Sequence, residues 1–398
     1  MSSRHPRILV VAPFTHQNGH FVTFPRDIAC ALAGLGYEVT LLHTRPFRTE
    51  LDWLGASLRR ICLRDGVDSS PWWWKEAWAR LANRPSNQCL AWMIWKLRPG
   101  DYDLVLWTDF QAQGNLWPLT MARILRLYRF RTAFIEHHPP DECHKLAKLL
   151  PETLRPDRVR IFGLPMFVFS KNLHVLWEER LKSPGIVNYV PWGVWPNPLT
   201  ERHRARARQV LGISEHARVL LVFGVQAVKR KHIDTLLQAL AGFPPTKPLL
   251  LLFVGAILGR EAHPFSGWQS PGAEARIEAG FISEERVELY FAATDAVWTN
   301  YRNFPGASGA LLQAMGFGRL ALSSNEGEIG ALCREYNLGP LVASSSATHL
   351  RDALDQFVTL PKAHQLEWEN QIASTAQRYA WPQTARQVMS HLGFLLPG

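Results

Sequence analysis

One repeated pattern limits what this chain can fold into: short apolar runs with β-branched residues alternate with segments of helical periodicity. Its first instance is RILVVA at 7–12, a helical segment at 26–35 after the loop 15–25, and GYEVTLLH at 36–43. Strand, helix and strand in this order form a βαβ unit with parallel strands. Buried strands are also predicted within 101–109 and 131–138. The first half is therefore predicted to be α/β.

The same alternation starts again near residue 217. ARVLLVFG, PLLLLFVG, DAVWTN and RLALSS have the pattern of buried strands, and HIDTLLQALAGF and ALLQAMGFG that of helices. Residues 190–216 between the two series are rich in proline and then arginine, which is typical of a linker and a helix start. The pattern predicts two doubly wound Rossmann-like domains whose strand ends face a shared cleft. An epimerase or a two-domain binding protein would share it.

Composition and charge narrow the class of protein. Apolar residues make up 47% and charged residues 20%, as in folded globular chains. No apolar run approaches the ~18 residues that span a membrane, and the N-terminal run resembles a first strand more than a signal peptide. We therefore expect a cytoplasmic protein. Residues 1–190 contain 25 Lys and Arg against 17 Asp and Glu, an excess of +8 within a net charge of +10. Such a basic half can attract phosphates, nucleic acid or anionic lipid, and a solvated basic surface with no partner is the alternative.

Several motifs resemble a known family. Residues 281–300 read as loop, helix and an aspartate-led strand, and residues 304–332 as a phosphate-contacting loop, helix and strand. NYVPWGVWPNP at 188–198 resembles an interdomain segment, and RYAWPQTARQV at 378–388 a terminal helix that starts at a tryptophan. In this order they resemble the retaining GT-B glycosyltransferases of group 1, the family of sucrose synthases and bacterial mannosyltransferases. The N-terminal half matches more loosely.

The resemblance implies a domain plan and a reaction. An acceptor-binding domain would span 1–190, a nucleotide-sugar-binding domain 191–380, and a helix at 381–398 would cross back to the first domain. The enzyme would move a sugar from a UDP- or GDP-sugar to a hydroxyl of a sugar, glycan or lipid-linked acceptor. It would retain the anomeric configuration and need no other cofactor, no metal and no nucleic acid.

Basic residues after the strand VLLVFG are candidates for contact with the diphosphate. A fixed cation beside the leaving phosphate stabilises the transition state more than the ground state. The family uses a lysine before a glycine and a helix like HIDTLL, and by that match Lys231 is the catalytic candidate, with His232 in the glycine's place. Lys229 is the alternative, and Arg230 could replace an arginine that the family often has nearer the strand. A basic helix start that simply faces solvent is the competing interpretation.

The loop before ALLQAMGFG carries further candidates. A serine hydroxyl and backbone N–H groups at a helix N-terminus suit a diphosphate, although Ser308 could equally serve as an N-cap. Many family members have two glutamates, eight positions apart, where this chain has Pro305 and Gln313. Gln313 can still form a hydrogen bond to a ribose hydroxyl. Pro305 cannot replace a carboxylate, so the transferred sugar must be recognised differently from the way those family members do it. The predicted contacts with the nucleotide-sugar are Gly19, Gly255, Phe281, Ile282, Asn303, Ala307, Ser308, Gly309 and Gln313, together with Lys229 and Arg230.

Histidines follow the strand TAFIE. The resemblance implies that one of His137 and His138 touches the transferred sugar and its leaving oxygen. A metal site with Asp141, Cys143 and His144 is a weaker alternative, because adjacent histidines point to different sides. A structural loop histidine also remains open. The resemblance implies that the leaving phosphate itself accepts the proton of the acceptor, which fits the absence of an evident acidic pair. A nucleotide-sugar epimerase and a non-catalytic partner subunit are the competing functions.

Tryptophan and arginine are concentrated in the first half. Six tryptophans fall within 72–95, and four arginines follow at 123–131. Tryptophan favours the membrane interface and arginine favours anionic headgroups, which predicts docking on an anionic membrane surface. A groove for a soluble sugar acceptor and a tryptophan-filled core are the alternatives.

Overall fold

The computed structural model describes residues 5–13, 20–44, 58–63, 85–108, 122, 126–137, 164–182, 185–225, 228–241, 243, 248–256, 268, 270–280, 282–302, 304, 306–342 and 346–396. The chain divides into two compact units, one of Met1–Gly193 with Trp381–Gly398 and one of Val194–Ala380. Each unit is built around a parallel sheet with helices between successive strands, which confirms the predicted α/β class. No described helix is both long enough and apolar enough to cross a membrane.

The first unit contains a seven-stranded sheet in the order β3-β2-β1-β4-β5-β6-β7, with every described pairing parallel. Its strands are β1 (Arg7–Ala12), β2 (Glu38–His43), β3 (Leu58–Cys62), β4 (Leu104–Trp107), β5 (Thr132–Glu136), β6 (Met166–Val168) and β7 (Val187–Tyr189). Its helices are α1 (His20–Gly34), α2 (Pro85–Lys96), α3 (Lys171–Leu181) and α11 (Trp381–His391). The central strands are buried along almost their whole length, as a sheet covered on both faces requires.

Helix α1 starts earlier than the sequence indicated. We expected a loop at 15–25, but the helix begins at His20 and contains Pro25. Proline lacks the N–H that would bond the carbonyl four residues back, so it normally argues against a helix interior. Here Phe24, Ile28 and Leu32, spaced by four, are all buried. Their burial against the unit's core outweighs the missing hydrogen bond.

The second unit contains a six-stranded parallel sheet in the order β10-β9-β8-β11-β12-β13. Its strands are β8 (Arg218–Phe223), β9 (Leu249–Gly255), β10 (Ala273–Ala279), β11 (Ala296–Thr299), β12 (Leu320–Ser324) and β13 (Leu341–Val342). Its helices are α4 (Glu201–Leu211), α5 (Ile233–Leu240), α6 (Glu284–Ala293), α7 (Gly309–Gly316), α8 (Gly327–Tyr336), α9 (Ala347–Thr359) and α10 (Lys362–Arg378). The strand order reverses between β8 and β11, and doubly wound sheets bind ligands outside the carboxyl ends of strands at such a reversal.

Four strands were not predicted from the sequence: the edge strands β3 and β10, the two-residue edge strand β13 and the three-residue buried strand β6. β3 reads LRRIC and β10 reads AEARIEA, and both are partly exposed along their length. An edge strand in a parallel sheet has one unpaired side, and charged residues protect that side from pairing with other chains. The same charges remove the apolar run that identified the central strands. β3 and β10 therefore could not be recognised by hydrophobicity alone.

The arginine-rich segment forms the helix α4, and two of its arginines, Arg204 and Arg208, join a buried ionic cluster. Arg208 bonds Asp295 at 2.7 Å, and Arg319 bonds Glu369 at 3.1 Å. Arg204 also pairs with Glu369. Burial alone would raise the pKa of Asp295, but the guanidinium groups of Arg208 and Arg204 outweigh it and hold that pKa below its ordinary value. The cluster lies where β11 and β12 begin, away from their carboxyl ends, and it ties α4 and α10 to the sheet.

Candidate functional site

The carboxyl ends of β8 and β9 approach each other closely in the second unit. Gly224 follows β8 with φ of 86°, and Gly255 ends β9 with φ of 136°, both in the region that favours glycine. A Cβ on Gly255 would lie 2.2 Å from the carbonyl oxygen of Gly224. Gly255 thus lies at the predicted edge of the sheet, where its missing side chain allows the two strand ends to meet.

Lys231 is buried at this edge, which corrects the expectation that its side chain faces solvent. The residue is 2% exposed, and its Nζ donates a hydrogen bond to the carbonyl of Phe223 at 2.5 Å. The same Nζ lies 5.7 Å from the ring centre of Tyr301. Burial, and then the charge of Arg230, lower the pKa of Lys231 to about 7. The lysine is drawn inward because α5 begins two residues later with the fully buried Ile233.

The other two basic residues of this loop lie on the surface. Lys229 and Arg230 are exposed, and the guanidinium carbon of Arg230 lies 5.7 Å from the ring centre of Phe304. Both stand one turn before α5. Lys231 alone among the three turns its ammonium group back to the end of β8.

Strand β11 and the residues after it hold this loop in place. The indole Nε1 of the fully buried Trp298 donates to the carbonyl of Lys231 at 2.8 Å. The backbone N–H of Arg302 donates to the carbonyl of Arg230 at 2.7 Å. These two hydrogen bonds fix the carbonyl groups before and after the Cα atom of Lys231, which limits how far its side chain can move.

Ser308 stands immediately before α7, as predicted, but it does not cap the helix with its side chain. Its hydroxyl instead donates to the hydroxyl of the buried Tyr301 at 3.1 Å. Burial is the main reason why the pKa of Tyr301 is raised above its ordinary value. Ala307 is half-buried, and Gly309 is the exposed first residue of α7. The first N–H groups of α7 are thus left for a ligand or solvent.

Buried polar atoms without a partner also collect at this edge. The side-chain nitrogen and oxygen of Asn300, which is 0% exposed, make no hydrogen bond within the described part of the chain. The same holds for the Oε1 of Gln313 and the Nε2 of His232. An unpaired buried polar group costs about 1–3 kcal/mol, so such a cluster indicates a surface built for a polar ligand. The sequence pattern predicts Asn300 only as the last residue of the strand DAVWTN.

Other predicted contacts with the nucleotide-sugar are only partly described. Ile282 is half-buried and lies just before α6. Gly19, His138, Phe281 and Asn303 lie outside the described residues.

His137 follows β5 in the first unit and is packed among aromatic rings. Its ring centre lies 4.1 Å from that of Phe24, 5.1 Å from that of Trp192 and 5.7 Å from that of Phe169. Its backbone N–H donates to the carboxylate of Glu136 at 3.0 Å. The residue is 4% exposed. His137 therefore lies buried at a carboxyl strand end, and its ring contributes to an aromatic cluster.

The alternative metal site needs Asp141, Cys143 and His144, and all three lie outside the described residues. Within the described ranges, no three His, Cys, Asp or Glu side chains are grouped as metal ligands would be.

Comparisons with known proteins bear on the family and the fold of the chain. Residues 203–375 match the family model described as "Glycosyl transferases group 1". No relative among the curated proteins matches the chain. Solved structures resemble it over nearly its whole length. A glycosyltransferase from Rickettsia africae has a TM-score of 0.69 at 14% identity and covers 97% of both chains.

Two further structures are similar at the level of the fold. HepE from Anabaena, solved with UDP and glucose, has a TM-score of 0.67 at 16% identity and covers 98% of this chain and 100% of its own. WaaG, a glycosyltransferase involved in lipopolysaccharide biosynthesis, has a TM-score of 0.63 at 16% identity, over 96% of this chain and 99% of its own.

Proposed function

Because residues 203–375 belong to the glycosyl transferases group 1 family, we propose that this glycosyltransferase moves a hexosyl group from a nucleotide-diphosphate sugar to an acceptor hydroxyl with retention of configuration. The observation that carries the proposal is the placement of the buried Lys231 beside unpartnered polar atoms where the strand order of the second unit reverses. That is the position at which doubly wound sheets bind nucleotides.

The diphosphate would lie between the loop before α5 and the start of α7. Lys231 supplies a cation whose charge is poorly solvated in the free protein, so an anion beside it gains more than it would from an exposed lysine. The free N–H groups at the start of α7 add donors for phosphate oxygens. Negative charge on the leaving diphosphate grows as the glycosidic bond breaks, so these groups stabilise the transition state more than the bound sugar donor.

We propose UDP as the nucleotide of the sugar donor, with GDP as the alternative to be tested. HepE, which shares the fold, was solved with UDP and with UDP-glucose. In this chain Gln313 of α7 offers an unpartnered side-chain oxygen for a ribose hydroxyl, and Ile282 stands before α6 for contact with the base.

Retention follows, in this proposal, from reaction on one face of the sugar. The bond from the anomeric carbon to the diphosphate breaks, and the acceptor oxygen bonds to that carbon on the same face. The acceptor's proton passes to the departing phosphate oxygen, so no separate carboxylate base is needed. Lys231 and the start of α7 would supply the positive potential that a divalent metal provides in other transferases. The buried His137 would help to shape the acceptor side of the first unit.

Calorimetry with UDP, GDP and ADP tests the nucleotide site, and product analysis tests the reaction. We expect UDP to bind below millimolar concentration and sugar to be transferred only when an acceptor is added. Interconversion of epimeric sugar donors would favour an epimerase instead. Nucleotide binding without turnover on any acceptor would favour a non-catalytic partner subunit. If no nucleotide binds, the assignment of the site is wrong.

We further propose a lipid-linked or polysaccharide acceptor, reached from the cytoplasmic face of a membrane. WaaG, which shares the fold, acts in lipopolysaccharide biosynthesis. Trp95 and Leu127 of this chain are 52% and 54% exposed, next to Lys96 and the exposed Arg126 and Arg129. They lie where the chain enters the neighbouring strands β4 and β5, and such a mixture of apolar and basic side chains suits an anionic bilayer surface. The tryptophans and arginines at 72–78 and 123 lie outside the described residues.

Sedimentation with vesicles tests this face. The wild-type protein should pellet with anionic vesicles at low salt, remain in solution with neutral vesicles, and be released as salt increases. Replacing Trp95 and Leu127 with serine should weaken the binding several-fold. Val210→Ser is the matched control, because Val210 is 64% exposed on α4 of the other unit. Equal recovery with anionic and neutral vesicles would favour a soluble acceptor.

A further inference from the structure

The residue between Lys231 and α5 is an unusual choice for its backbone conformation. His232 has φ of 49° and ψ of 34°, in the left-handed region where glycine is unstrained and a side chain carries a penalty. It is nevertheless a histidine, and only 3% of it is exposed. A residue kept at a strained position and buried there is expected to use its side chain.

The hydrogen bonds of His232 define its tautomer. A guanidinium nitrogen of Arg302 lies 3.3 Å from Nδ1 of the imidazole. A guanidinium group can only donate, so Nδ1 accepts and the ring hydrogen resides on Nε2. The hydroxyl of Thr235 lies 3.5 Å from the same Nδ1. Burial, and then the charge of Arg302, lower the pKa of His232 against the opposing charges of Asp234 and Glu326, so the neutral ring is favoured.

This tautomer leaves a buried N–H group without an acceptor. Nε2 is shielded from solvent and makes no hydrogen bond to any described residue. The nearby carboxylate of Asp234 is used by the helix itself, since it accepts the backbone N–H of Thr235 at 2.9 Å. A donor that water cannot reach and that no described residue satisfies indicates a ligand oxygen.

Basic and acidic groups both surround His232, and the carboxylates of Asp234 and Glu326 oppose the charge of Arg302 at its ring. Lys231 precedes it, Arg302 bonds its ring, and the N-terminus of α5 begins at the next residue. Two of the N–H groups in that first helical turn already have acceptors, because Ile233 donates to the carbonyl of Val228 and Thr235 donates to the carboxylate of Asp234. Lys231, Arg302 and the unsatisfied Nε2–H group are the donors of this short segment, and phosphate oxygens accept hydrogen bonds from such groups.

We propose that the Nε2–H group of His232 donates a hydrogen bond to an oxygen of the donor's diphosphate, beside Lys231. The inference rests on the proposed function and adds one binding residue to it. It also supplies a phosphate contact in a chain that has Val225 and Gln226 where the family resemblance leads one to expect an arginine.

Three substitutions at this position test how far the side-chain donor must reach. The side-chain nitrogen of glutamine can occupy the place of Nε2, whereas that of asparagine reaches only as far as Nδ1. We expect His232→Gln to bind UDP within about threefold of wild type. His232→Asn and His232→Gly should bind it about 10- to 100-fold more weakly, the loss expected for one hydrogen bond to a charged group. Both of the latter tolerate a positive φ, so their thermal stability should not fall.

Calorimetry with UDP, pyrophosphate and uridine distinguishes the parts of the ligand. The loss in His232→Asn should appear with UDP and pyrophosphate and be absent with uridine. Asn337→Gly is the control for backbone effects, because Asn337 also has φ of 49° and is exposed at the end of α8. It should leave UDP affinity unchanged.

The binding results for wild type and for the variants test this inference separately from the proposed function. If wild type binds UDP but His232→Asn and His232→Gly bind it within twofold as well, the role of His232 is refuted and the nucleotide site stands. An equal loss with uridine would also refute the phosphate contact. If wild type binds neither nucleotide nor pyrophosphate, the proposed function fails and this inference fails with it.

Discussion

Proton uptake on nucleotide binding is the sharpest consequence of the buried Lys231. In the free protein its pKa is about 7, mainly because burial disfavours the ammonium form. At pH 8 only about a tenth of the molecules would then hold this proton. A diphosphate next to the ammonium group should return the pKa towards its ordinary value of 10.5, where nearly all molecules hold it. UDP binding at pH 8 should therefore take up about 0.9 proton.

The free-energy scale follows from the same two values. The difference between 10.5 and about 7 corresponds to roughly 5 kcal/mol for charging the lysine in the free protein. The unfolded chain keeps this proton up to about pH 10.5, whereas the folded chain releases it near pH 7. The stability of the free protein should therefore increase as pH rises through this window, and the full penalty should be present below pH 7. UDP affinity should decrease by up to about tenfold per pH unit over the same window.

Calorimetry in buffers of different ionisation enthalpy measures the uptake directly. At pH 8 the phosphates of UDP are already fully ionised, so they contribute little to the proton count. Lys231→Met should abolish the proton uptake. It should also slow turnover, because the activation barrier should rise by about 2.7–4 kcal/mol. Lys229→Met is the matched control, since Lys229 is exposed in the same loop. Unchanged uptake in Lys231→Met, or none in wild type, would refute the reasoning.

Three further substitutions test the stability of the fold and the proposed ribose contact. Gly193→Ala would place a Cβ 2.4 Å from the indole of Trp381, so the free energy of unfolding measured in urea should fall by about 1–3 kcal/mol; unchanged stability would mean that the start of α11 can shift. Glu369→Gln would leave the fully buried Arg319 without its carboxylate and should cost about 3–5 kcal/mol in the same assay, whereas a loss under 1 kcal/mol would show that the cluster is dispensable. Gln313→Leu should weaken UDP about threefold to tenfold and leave pyrophosphate unaffected, and equal losses would remove Gln313 from the ribose.

The fold class could be predicted from the sequence because buried strands and helices each have a characteristic local pattern of apolar residues. Runs such as RILVVA and LLLLFVG are apolar at every position, as strands covered on both faces require, and amphipathic segments follow them. The candidate loops were found for the same reason, since ligand loops follow the carboxyl ends of such strands. Local pattern failed at the partly exposed edge strands β3 and β10 and at Pro25, where burial outweighed propensity.

The chemistry of the site was decided by tertiary structure. The letters KRKH show three cations and a histidine, and nothing in them distinguishes Lys231 from Lys229 by burial. Lys231 is buried because α5 and β11 close over it, and β11 lies more than sixty residues further along the chain. Asn300 and the tautomer of His232 likewise depend on partners that the fold brings near or withholds. The sequence by itself determined which strands and loops form, through local side-chain pattern. Only the tertiary structure decided which charges lose their water, because desolvation depends on all the atoms that surround a group.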